Sequence, residues 1–158
     1  MKYAVPLAGA AAAAAALTAC GSSHHSSGPR LPSARLVVPG RSIGPVRLDE
    51  PRTVVRRTLG PGKQSRRGIV EYFDGRLLVD YWFHDGLTNR VEYLKTTWPV
   101  FHTRSGVHVG GARSALHLPR GSCSGGVCSV AANKGPDAPG TGFGIRAGKI
   151  AWIAVGYG

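Results

Sequence analysis

Three cysteines, six histidines and eight carboxylates are the residues of this 158-residue chain with the means to do chemistry. Cys123 and Cys128 lie close together around Ser124-Gly125-Gly126, so they could ligate a metal, supply a nucleophile or bridge to each other. Structural zinc needs four ligands, and two thiols with no histidine beside them fall short. Gly121-Ser122-Cys123-Ser124-Gly125 has the glycine spacing of a nucleophile elbow but carries cysteine where serine should stand. Cys128 is a ready partner for that thiol, which argues against Cys123 as a free nucleophile. Gly140-Thr141-Gly142-Phe143-Gly144 lacks the glycine spacing of a dinucleotide loop and has no helix after it; it reads as a turn leading into a strand.

The histidines organise no better. His24-His25 sits in a serine-rich stretch, and His102, His108 and His117 form no ligand spacing on one element. His84-Asp85 could pair as acid and orienter, but neighbouring strand residues point to opposite faces, and Asp85-Gly86 is itself a turn signal. Asp49-Glu50 is the one close carboxylate pair, and a helix start accounts for it. The expectation is no catalytic residue, no metal and no cofactor, with an envelope enzyme as the least supported reading.

At the N-terminus Lys2 precedes an apolar run from Ala4 to Leu17, closed by Leu17-Thr18-Ala19-Cys20. The run is short of the roughly 20 residues that span a bilayer and fits a secretory segment. The Leu-x-x-Cys box resembles the lipobox of bacterial lipoprotein signals. That resemblance implies cleavage after residue 19 and at least two acyl chains on Cys20, enough for a stable anchor. Residues 1–19 are then the signal and 20–36, rich in Ser, Gly and Pro, a flexible linker. The expected location is the extracytoplasmic face of the cell membrane, held there by the lipid on Cys20. In that compartment Cys123 and Cys128 read as a disulfide, worth about 2 kcal/mol for so small a ring.

Twenty Lys and Arg against eight Asp and Glu give a net charge of +12. Such a field attracts anionic lipid or envelope polymer, although arginine-rich composition alone would give the same excess. Nucleic acid is not an expected partner, since the chain carries no recognisable motif for it.

Residues 37–158 suffice for a single domain with one modest core. Ile69 to Phe73, Leu77 to Phe83 and Arg90 to Thr97 read as three antiparallel strands linked at Asp74-Gly75 and Asp85-Gly86. Gly142 to Arg146 and Lys149 to Val155 read as a hairpin about Ala147-Gly148. Pro51 to Leu59 predicts a helix capped by Asp49 and stopped at Gly60, with Val55 and Leu59 on one face. Ala112 to Leu118 predicts a second, stopped by Pro119. Val46-Arg47-Leu48 with Arg52 and Val55 precedes Val107-His108-Val109 with Arg113 and Leu116 by 61 positions, suggesting diverged repeats at 41–100 and 104–158.

The units Ile43-Gly44-Pro45-Val46-Arg47-Leu48 to Gly60, and Gly106-Val107-His108-Val109-Gly110 to Cys123, resemble those of the β-lactamase-inhibitor-protein-like and outer-membrane-assembly small-lipoprotein superfamily. The chain departs from that pattern at Asp49-Glu50-Pro51, in place of a small-residue turn. The resemblance implies an α+β fold: an antiparallel sheet with short helices packed on one face and the other free to bind. Asp80 and Trp82, opposite the Tyr81 face, with Arg56 and Arg57, are the candidate binding surface, unless both faces are covered and Trp82 is core. The leading functional expectation is a non-catalytic module that binds another envelope protein. The alternative is an electrostatic binder of anionic polymer or lipid.

Overall fold

The computed structural model describes residues 34–81, 89–119, 121–131 and 138–157. Three short strands come first: β1 (Leu36–Val38), β2 (Ser42–Ile43) and β3 (Val46–Arg47). The helix α1 (Arg52–Leu59) leads into β4 (Lys63–Gln64), β5 (Ile69–Tyr72), β6 (Leu77–Tyr81) and β7 (Val91–Thr96). After β8 (His102–Thr103) and a 3-10 turn at Arg113–Ala115 come β9 (Cys123–Ser124), β10 (Val127–Ala131), β11 (Gly140–Arg146) and β12 (Lys149–Gly156).

Two sheets result. The larger is antiparallel, in the order β4-β5-β6-β7-β12-β11-β10-β9; the smaller runs β3-β2-β1-β8, with β1 and β8 parallel. The order of the large sheet reads as two four-strand meanders joined back to back at β7 and β12. A 61-residue offset carries Leu94 onto Val155, and these two are register partners across the join.

Alternation decides the faces. β6 buries Leu77, Val79 and Tyr81 and turns Leu78 and Asp80 the other way, as a pleated backbone requires. Val70, Leu94, Ile153, Val155 and Phe143 continue the buried row across the register. The second layer packs on this inner face. The small sheet contributes Val37, Ile43 and Val46 to the core, and Gly40 N–H donates to Thr141 Oγ1 at 2.7 Å. α1 adds Val55 and Leu59, one turn apart, and sets the Arg52 guanidinium 5.4 Å from the Tyr81 ring centre. Phe101 is fully buried beneath Gly44, where φ is +59° and a Cβ would come within 2.6 Å of the ring.

Buried threonines find partners, as buried polar groups must. Thr96 Oγ1 donates to the Arg76 carbonyl, and Thr103 Oγ1 accepts from Val107 N–H. The Tyr81 hydroxyl is the exception, buried with no hydrogen-bond partner among the described residues. Burial first, and then the adjacent Tyr72, raise the pKa of this phenol.

The expected α+β architecture is overturned. Among the described residues there is one α-helix against twelve strands, and the small sheet supplies most of the second layer. The helix expected over Ala112 to Leu118 is only the 3-10 turn, with none of its residues buried. Gly111 and Pro119 leave room for fewer than two helical turns, too few to offset nucleation without a buried face. α1 forms, but its N-cap is Pro51 and no side chain caps it. Asp49, the expected cap, lies too far back in a left-handed turn with φ of 61°. β1 begins at Leu36, inside the expected linker.

Candidate binding surface

The outer face of the large sheet carries neither the small sheet nor α1. Its most ordered part follows from a period-two run of glycine. β11 turns Thr141 and Phe143 inward, which directs Gly140, Gly142 and Gly144 outward. Gly144 is the register partner of Trp152. A Cβ on Gly144 would fall within the Trp152 indole, and one on Gly142 would lie 3.3 Å from it. The ring therefore lies flat on bare backbone. Gly156 stands in the same relation to Tyr93, since a Cβ there would lie 2.6 Å from Tyr93 Cδ2. Glycine weakens a strand by leaving it nothing to pack, and an aromatic ring laid across it restores the contact.

Charged groups flank both rings. Lys95 Nζ stands 5.0 Å from the Trp152 ring centre, within cation–π range. Asp80 is the register partner of Tyr93. Burial raises the Asp80 carboxyl, offset in part by the nearby backbone N–H of Tyr81. Burial and then the Asp80 charge raise the Tyr93 phenol. Between Tyr93, Trp152 and Tyr157 runs a groove of about 320 Å³, floored by Gly140, Gly142 and Gly156 and bordered by Ser129. At its end Tyr157 Oη donates to Asp49 Oδ2 at 2.6 Å. That bond, then burial and the Asp49 charge, push the phenol up to about 12.

Compared with protein-family models, curated proteins and solved structures, the chain matches none.

Of the residues singled out by sequence, Asp80 lies on this face. Trp82 falls outside the described residues, as do Cys20, His24-His25 and His84-Asp85. Arg56 and Arg57 are exposed on α1, on the far side of the sheet from Asp80. Cys123 and Cys128 form the disulfide, as register partners across β9 and β10 with their Cα atoms 3.9 Å apart. Gly125 and Gly126, with φ of 55° and 80°, make the two-residue turn between them, a conformation suited to glycine. His102 and His108 meet across an isolated bridge. No group of three or more His, Cys, Asp or Glu able to hold a metal occurs among the described residues, and none of their helices is long and apolar enough to cross a membrane.

Trp152, Tyr93, Lys95 and Tyr157 escaped the sequence reading. The signal was there in Gly140-Thr141-Gly142-Phe143-Gly144, whose strict alternation marks a strand with one bare side. It is a strand throughout, not a turn leading into one. Among the described residues the surface pairs no nucleophile with a base; its means are stacking, apolar contact and the charges of Lys95, Asp80 and, at the end of the groove, Asp49.

Proposed function

We propose that this protein is a non-catalytic protein-binding module of the cell envelope, anchored at the membrane through lipid on Cys20, with the outer face of the large sheet as its binding surface. The observation that carries the reading is the seating of Trp152 on Gly142 and Gly144 beside Tyr93 on Gly156. Aromatic side chains concentrate in the energetic centres of protein interfaces. Rings already fixed on a rigid sheet lose little conformational freedom on binding, which favours affinity. The shape supports a protein partner as well. Small-molecule sites enclose most of their ligand, whereas this groove lies open along a broad sheet face. The address rests on Leu17-Thr18-Ala19-Cys20 and its resemblance to the lipobox.

Site-specific photo-crosslinking in intact cells tests the binding surface. A crosslinker at Ser129, beside the groove, is expected to give a discrete protein adduct that Trp152→Ala removes. The same crosslinker at Arg57, on the opposite side, is expected to give none. Adducts from position 57 alone, or an adduct from 129 indifferent to Trp152→Ala, would refute the assignment. Mass spectrometry of the N-terminal residue tests the anchor: acyl chains on Cys20 are expected, and an unmodified terminus overturns it.

A further inference from the structure

The solvent side of the small sheet has a different chemistry. Val37, Ile43, Val46 and Thr103 point into the core, so Leu36, Val38, Arg47 and His102 share the opposite face, as does Ser42, which is itself buried at 6%. The register sets Val38 beside Ser42 and Ser42 beside Arg47. Arg104 follows directly after β8, in the turn closed by the Gly106 N–H on the Thr103 carbonyl. At about 4.8 Å between strands, β3, which carries Arg47, and β8, which Arg104 follows, are about 14 Å apart. Arg41 lies in the turn above Ser42, its N–H donating to the Val38 carbonyl and its carbonyl accepting from Leu48 N–H. All three arginines are exposed, and none forms an ion pair among the described residues. Glu50, the nearby acid, spends Oε2 on the backbone N–H of Arg47.

We infer that this face docks on the anionic headgroups of a lipid bilayer. Three guanidinium groups, on β3, in the β1–β2 turn and in the turn after β8, fit a plane of anionic groups. Leu36, 41% exposed on the same face, adds an apolar point to the contact. The described chain enters through β1, whose preceding residues 21–34 lead back to Cys20. The fourteen residues of that Ser-, Gly- and Pro-containing sequence have a random-coil reach of roughly 20 Å, short enough to keep the arginine face near the headgroups when Cys20 is anchored. The large sheet lies behind this face, so docking turns the Trp152 surface away from the membrane. The inference draws on the Cys20 anchor for proximity and is independent of the role assigned to the outer face.

Sedimentation of the full chain with vesicles tests it, using Cys20→Ser throughout so that no acyl chain contributes. Vesicles of phosphatidylglycerol and phosphatidylcholine are compared with pure phosphatidylcholine, which cancels any contribution of the apolar N-terminus. Partition is expected to favour the anionic vesicles and to fall steeply with salt. At about fivefold per arginine near a charged surface, the triple variant Arg41→Gln, Arg47→Gln, Arg104→Gln is expected to lose about 100-fold. Lysine at the same three positions is expected to retain binding. The control triple Arg66→Gln, Arg146→Gln, Lys149→Gln, with an equal change in net charge, is expected to lose less than tenfold, and Trp152→Ala nothing. Equal losses from the two glutamine triples, no preference for anionic vesicles, or binding only to purified wall polymer would overturn the inference. Loss with Trp152→Ala would likewise overturn it, whereas the photo-crosslinking result bears only on the outer face.

Discussion

Trp152 occupies the space that a side chain at position 144 would need. The two are register partners across β11 and β12, and the indole rests where a Gly144 Cβ would project. The bareness of one residue thus sets the pose of the other, and the surface depends on a position that offers no side chain to a partner. Gly144→Ala is expected to lift the indole and alter its relation to Lys95, 5.0 Å from the ring centre. The strand pairing should survive, at an overpacking cost of about 1–3 kcal/mol. Urea unfolding measures that cost. The near-ultraviolet circular dichroism of Trp152, isolated by difference against Trp152→Phe, reports the ring. An unchanged Trp152 signal in Gly144→Ala would show that the glycine does not set the pose.

The Cys123–Cys128 bridge ties the edge of the large sheet, and its inner half is core, since Cys128 is 1% exposed. The ring it closes is small, so reduction is expected to cost about 2 kcal/mol, through freedom returned to the unfolded chain. Ala replaces both cysteines in the control, because Ser at 128 would bury an unpaired hydroxyl. Reductant should lower the urea midpoint of the natural chain and leave that of the double alanine variant unmoved. Equal midpoints for the natural chain with and without reductant would contradict the bridge's stabilising role.

The features legible in the sequence are those whose causes are local. Leu77, Val79 and Tyr81 against Asp80 follow from period two, and the β5–β6–β7 meander from strands close in sequence. The glycines between Cys123 and Cys128 made that pairing readable too. The pairing of β7 with β12 was not readable, because it joins segments about 60 residues apart and each strand is equally content beside another neighbour. For the same reason Trp152 looked like one apolar residue in a hairpin: its meaning comes from Gly142 and Gly144 on the strand to one side and Lys95 on the strand to the other. The second layer was misjudged because β1, β2, β3 and β8 are two or three residues long, too short for any period to show. Tertiary pairing also decided Asp49, a good cap by residue type that is instead engaged by Tyr157.

Tyr157 holds Asp49 through a bond between residues 108 apart in sequence, linking the end of the chain to the turn before α1. A neutral phenol is the donor, so the bond lasts only while Tyr157 keeps its proton. The phenol is raised from its usual 10.0 to about 12 in the folded protein, first by the Asp49 hydrogen bond and then by burial and the Asp49 charge. A folded value above the unfolded one means that the stabilisation is complete below pH 10 and is lost as pH rises from there through about 12. Tyr157 is partly exposed and its bond to Asp49 lies at the surface, so solvent screens the Asp49 charge and the bond is worth about 1 kcal/mol. Tyr157→Phe is expected to lower stability by that amount at neutral pH and to leave the natural and variant chains converging in strong alkali. Urea unfolding across that range measures the convergence, and phenolate absorbance assigns the late titration to Tyr157. Asp49→Asn, which keeps an acceptor but removes the charge, should shift that titration back towards its ordinary range. A Tyr157 titration indifferent to Asp49→Asn would leave the alkaline loss of stability without this cause.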